Sequence, residues 1–215
     1  MSHTTAALMR REQPVRPLIS RLRRRRERGQ ALVEFAIFVV ILANLLAGVV
    51  DIGGLLGGHV GMVFAARQGA RTAAVLGNLG KADCATVGAV QAAVANLSGI
   101  TLTRIIIYKA GAFGFPIDAT TRETYPGNTQ CNPVTGALTN TPSPDGYHPD
   151  QRNNQPLLED SVGVELDYTY SFPLPFLPIG AVSTISLTDH AVMPINPTGV
   201  ASPQPTGTTL STPGP

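Results

Sequence analysis

Residues 28–51 read RGQALVEFAIFVVILANLLAGVVD. From Ala31 to Val50 the run is apolar apart from Glu34, Asn44 and Gly48. A helix rising about 1.5 Å per residue over that length spans roughly the 30 Å hydrocarbon core of a bilayer. A cleaved secretory signal has an apolar region of only about 7 to 15 residues, so the run is too long for that reading. One membrane crossing is expected.

The flanks set its direction. Residues 1–29 hold nine arginines (Arg10, Arg11, Arg16, Arg21, Arg23 to Arg26 and Arg28) against Glu12 and Glu27, a net charge of +7, whereas residues 30–215 carry a net −5. Basic flanks of this kind stay in the cytoplasm, which places the C-terminal part on the far side. The overall charge of +2 therefore conceals two oppositely charged segments.

Beyond the span the apolar pattern continues without a proline through Ile52, Leu55, Val60, Val63, Phe64 and Leu76. The spacing predicts a long helix, half in the membrane and half projecting from it. Gly53, Gly54, Gly57, Gly58 and Gly61 weaken it, each by up to about 1 kcal/mol relative to alanine. They mark either a kink or a face on which helix backbones approach closely. Gly77, Asn78 and Gly80 read as its stop. Asp83 is placed to cap a second helix whose apolar stripe, Val87, Val90, Val94 and Leu97, ends at Gly99.

Strands follow. Leu102 to Tyr108 is isoleucine-rich, and Val162 to Phe172 alternates apolar and polar residues without a break, as an antiparallel sheet covered on one side requires. Val182 to Met193 is a third candidate. Residues 111–156, crowded with Pro, Gly, Asn and Thr, read as a long insert that is either a surface loop or locally disordered. The Pro- and Thr-rich residues 196–215 read as a disordered tail. The fold class is thus α+β. A basic leader (1–29) precedes a membrane and projecting helix (30–78), then a small helix-plus-antiparallel-sheet domain (79–195).

Cys84 and Cys131 both fall on the non-cytoplasmic side, where disulfides persist. They form either a bridge, which by the loop-entropy model would stabilise the fold by about 4 kcal/mol, or two separate thiols. His59, His148 and His190 are scattered without zinc-finger spacing, so neither a metal nor a cofactor is implied. No Walker loop, zincin His-Glu pair or G-x-S-x-G elbow is present, which argues against catalysis. The arginine-rich arm could attract phosphates, but Arg21 to Arg28 has no interleaved aromatic or amide side chains for reading bases, so no specific nucleic-acid partner is expected.

The junction Arg28-Gly29-Gln30-Ala31-Leu32-Val33-Glu34-Phe35 resembles the processing site of type IV prepilins. The likeness is closest to TadE-like minor pilins and pseudopilins of the tight-adherence, or Flp-type, pilus system. It extends to Asp51 at the end of the span, to the segment Ala66 to Arg71, and to the late aromatic strand Tyr168 to Pro173. Residues 111–156 lie outside the likeness. The resemblance implies a pilin-like domain and cleavage after Gly29 by prepilin peptidase, leaving Gln30 as the new N-terminus. It also implies pairing of Glu34 with the α-amine of a neighbouring subunit. Glu34 is independently conspicuous, since a carboxylate about one turn inside an apolar run needs a partner or a proton. Phe35 matches the aromatic residue that follows the glutamate in this subgroup. The implied partners are other pilins, the inner-membrane platform and membrane lipid. Arg67 and Arg71 share one helix face, either solvated or pairing with acidic groups, Asp51 among them. Ala65, Ala66, Gly69, Ala70, Ala73 and Ala74 offer small contacts for close packing. The alternatives are a signal-anchored binding domain outside the cytoplasm and a basic-arm binder of nucleic acid or anionic lipid.

Overall fold

The computed structural model describes residues 19–173 and 183–196, with side chains from Gly29 on. Most of the basic leader, Val182 and the tail from Pro197 onward lie outside the described residues. The chain divides into two compact units, Met1–Leu46 and Ala47–Pro215.

Helix α1 is Ile19–Leu76. Among the described residues it is the one helix, over Gly29–Leu76, long and apolar enough to cross a membrane. Leu32, Phe35, Phe38, Leu45 and Val49 are each at least 60 % exposed. A segment so apolar and so exposed is compatible with a single-pass membrane anchor. Helix α1 continues unbroken through Gly53 to Gly61, with no melted turn there. It ends where Gly77 adopts φ +53° and returns its N–H to Ala73 O at 2.8 Å, the left-handed stop that glycine permits.

Helix α2 is Ala82–Val94, and the strands are β1 (Ile100–Ala110), β2 (Arg122–Pro126), β3 (Ser161–Ser171) and β4 (Thr184–Pro194). They form one antiparallel sheet in the order β2-β1-β3-β4. The α+β class is therefore observed, with the strands displaced by one or two residues from their expected bounds.

Two expectations need correction. Residues 111–156 are neither structureless nor simply loop, since they contribute β2, which pairs with β1 from Arg104↔Pro126 to Tyr108↔Arg122. Asp83 does not cap α2. The N-cap is Lys81, without a side-chain cap bond, and Asp83 turns from the first helical turn toward Arg152. Of the spaced glycines, Gly54, Gly58 and Gly61 meet side chains of this same chain, whereas a Cβ on Gly53 or Gly57 would touch nothing. A Cβ on Gly54 would lie 2.4 Å from the Tyr170 hydroxyl, one on Gly58 2.8 Å from Ile100, and one on Gly61 2.6 Å from Leu97.

The core lies between the sheet and the helices. Met62, Ala65, Ala66, Ala70, Ala73 and Ala74 of α1 and Val87 and Val90 of α2 are buried with Ile105, Ile107, Val164, Leu166 and Tyr168 of β1 and β3. The small side chains of α1 thus pack within the subunit, and Gly69 lets the helix settle on Val90 and Val164. On the opposite face, a smaller cluster of Ile106, Tyr108 and Ala110 is covered in part by Val192. Tyr108 OH donates to Gly114 O at 2.8 Å, tying the chain after β1 over this face.

Candidate functional site

The junction residues lie on α1, where Gly29, Gln30, Glu34 and Phe35 are all exposed and a Cβ on Gly29 would touch nothing. Gly29 and Gln30 are thus open on their helix, and Glu34 has no partner among the described residues. One carboxylate oxygen of Asp51, by contrast, is buried without a hydrogen-bond partner. Arg67 and Arg71 are exposed and form no ion pair among the described residues, so neither pairs with Asp51. Structure and sequence agree in setting these groups along one helix and do not bring them to one point.

Where charges do converge is a region the sequence pattern did not single out. Arg152, whose side chain is fully buried, donates through Nη2 to Asp83 Oδ1 of α2 and to Tyr147 O at 3.1 Å. Its Nη1 approaches Gly77 O at 3.4 Å, and Glu123 Oε2 on β2 lies 3.9 Å away. One side chain of the insert thereby contacts the end of α1, the start of α2 and strand β2. These acceptors compensate the burial of both terminal nitrogens, while Nε is buried without a hydrogen-bond partner.

Glu123 is completely buried, and Tyr125 OH donates to its Oε2 at 2.9 Å. Burial first, and the Asp83 charge second, push its carboxyl up to about 8. Burial likewise raises the phenols of Tyr125 and Tyr147 well above their ordinary value. Asp160, held by Lys109 Nζ at 2.7 Å and by Asn153 N at 3.0 Å, completes the cluster below Tyr147.

The histidines are not incidental. His148 Nδ1 lies 3.0 Å from Glu123 Oε1, and its Nε2 lies 3.0 Å from Asp145 Oδ1. His59 of α1 sits 3.0 Å from Asp189 Oδ2 of β4, while Tyr168 OH donates to the same oxygen at 2.7 Å. The Tyr168 hydroxyl also lies 3.1 Å from His59 Nδ1. Cys84 and Cys131 are joined by a disulfide with Cα atoms 4.9 Å apart, which fastens the insert to α2. Beside it, Gln91 Nε2 donates to Thr129 O at 3.1 Å.

A shallow cavity of about 550 Å³ is lined by residues between Gln130 and Thr139, none of them charged. Sequence reasoning missed Glu123, Asp145, Arg152 and Asp160 because each stands in or beside a polar, proline-rich stretch where charged residues are ordinarily solvated. The only local signal was Glu123 alternating with Tyr125 in a five-residue run too short to read as a strand.

Comparison with protein-family models, with curated proteins and with solved structures finds no match to this chain.

Proposed function

We propose that the chain is a non-enzymatic, TadE-like accessory subunit of a tight-adherence pilus or a related secretion apparatus, cut after Gly29 by prepilin peptidase. The observation that carries this is the junction itself. Arg28, Gly29 and Gln30 stand immediately before an apolar helical run whose one carboxylate before Asp51 is Glu34, followed by Phe35. In this reading the nine arginines hold the leader in the cytoplasm, the run from Ala31 to Val50 crosses the inner membrane, and the pilin-like α+β domain lies outside. Cleavage would give Gln30 a cationic α-amine, and Glu34 of a neighbouring subunit would pair with it when the apolar helices bundle. A disulfide-bonded domain accords with the oxidising side of that membrane. The partners are prepilin peptidase, other pilins and the inner-membrane platform.

N-terminal sequencing and intact mass of the membrane-extracted protein test the proposal, with and without prepilin peptidase and with Gly29→Ala. A start at Gln30 that depends on both is the expected result. An uncut chain, or a cut far from Gly29, would leave a signal-anchored domain without a pilus role.

A further inference from the structure

We infer that Glu123, Asp145 and His148 form a binding site for a divalent first-row transition ion of the zinc class, independent of the leader and of any assembly contact. One ligand atom from each of the three lies within 4.8 Å of the others. The positions are fixed by backbone. Glu123 and Asp145 face each other across an antiparallel bridge, flanked by Thr124 N→Pro144 O at 3.1 Å and Gly146 N→Arg122 O at 3.1 Å. Gly146 holds the segment close, since a Cβ there would stand 1.7 Å from Thr120 O. His148 follows Asp145 by three residues, at the start of the 3-10 turn Pro149–Gln151.

The observation that points to a ligand is the division of labour on Glu123. Its Oε2 accepts from Tyr125 and faces Arg152, whereas its Oε1, fully buried, has no hydrogen-bond partner. That orphan oxygen is aimed at His148 Nδ1, 3.0 Å away, yet the ring is not placed to donate an N–H along that line. A buried carboxyl oxygen without a partner is disfavoured, and a metal ion that displaces the carboxyl proton would meet it. A metal ion accepts lone pairs from an imidazole nitrogen and from carboxylate oxygens alike, which suits a ring whose two nitrogens each lie 3.0 Å from a carboxylate oxygen.

The donor set selects the ion. One imidazole and two carboxylates are too few for calcium, which takes 6 to 8 oxygens, and imidazole favours zinc, cobalt and their neighbours over magnesium. The side chains of Asp145 and His148 are 45 % and 42 % exposed, so water can complete the coordination and the ion has an entry path. Tyr125 and Arg152 orient Glu123 from behind, as outer-shell groups do at metal centres.

The test uses the full chain in detergent, stripped with chelator and then given Zn²⁺, Co²⁺ or Mg²⁺ alone. Zn²⁺ and Co²⁺ are expected to raise the unfolding temperature by several degrees, reversibly by chelator, with Mg²⁺ without effect. Co²⁺ should show visible absorption bands of a nitrogen-containing site. Asp145→Asn and His148→Gln, both at half-exposed positions and checked for folding by circular dichroism, should weaken binding by about tenfold or more. No shift with either ion, or a shift unchanged in both variants, would overturn the site and leave His148 as an imidazole lodged between two carboxylates.

Discussion

Arg152 Nη2 donates to Asp83 Oδ1 between the insert and the first turn of α2, with the arginine side chain entirely out of solvent. Removing one partner of such a pair leaves the other as a buried, uncompensated charge, typically costing about 3–5 kcal/mol. Arg152→Met should therefore lower stability by about 3 kcal/mol or more in denaturant unfolding of the full chain. Adding Asp83→Asn should restore part of the loss, because the stranded charge is then gone. Equal losses in the single and double variants would show that Arg152 acts through packing alone.

Tyr108 on β1 lies across Gly163 on β3. A Cβ at Gly163 would fall 2.2, 2.4 and 2.7 Å from three atoms of the ring, which has sheet beneath it and the Gly114 hydrogen bond at its tip. Gly163→Ala should cost about 1–3 kcal/mol by overpacking. In Tyr108→Val the same substitution should be nearly neutral, since the ring that it strikes is absent. A double-mutant cycle on thermal unfolding measures the coupling, and additivity would refute the contact.

The disulfide Cys84–Cys131 closes a loop with a sequence separation of 47. By the loop-entropy model, removing it with Cys84→Ala and Cys131→Ala should cost about 4 kcal/mol. Reductant should lower the unfolding temperature of the native chain and leave the double variant unmoved.

Burial, and then the Glu165 charge, raise the Tyr108 phenol from 10.0 to about 12. A raised pKa in the folded state means that the neutral form is the one the fold favours. This contribution to stability is complete below pH 10 and is lost as pH rises through about 12. Denaturant unfolding between pH 9.5 and 12 should show a steeper loss in the native chain than in Tyr108→Phe. Parallel curves would assign the alkaline loss to other groups.

How far the sequence foretold this molecule depends on the kind of contact. The long apolar helix was legible because its signal is nearly continuous composition, and β3 because Val162, Val164, Leu166, Tyr168 and Tyr170 alternate without exception. Strand β2 was not, since one of its two inward residues is Glu123, and a carboxylate pointing inward breaks the pattern that marks a strand. Nor could Arg152 be recognised. Its burial requires α1, α2, β2 and the insert to arrive at one place, which no local window encodes. The spacing of the α1 glycines points to close approach, but it does not reveal that Gly54, Gly58 and Gly61 meet Tyr170, Ile100 and Leu97, distant in sequence.

Glu34 provides the sharpest functional prediction. A carboxylate within an apolar span opposes insertion by about 2.5–3.5 kcal/mol at the centre and less near the headgroups. If it served nothing, Glu34→Gln would insert at least as well and behave normally. On the assembly proposal the variant should insert and be cut after Gly29, yet its recovery with pilin partners in detergent-solubilised complexes should fall about tenfold, since a lost charge-assisted pair costs about 1.5–3 kcal/mol. Glu34→Asp, which keeps the charge on a shorter stem, should retain an intermediate amount. Undiminished recovery of the cut Glu34→Gln chain would separate processing from assembly and remove Glu34 from the interface.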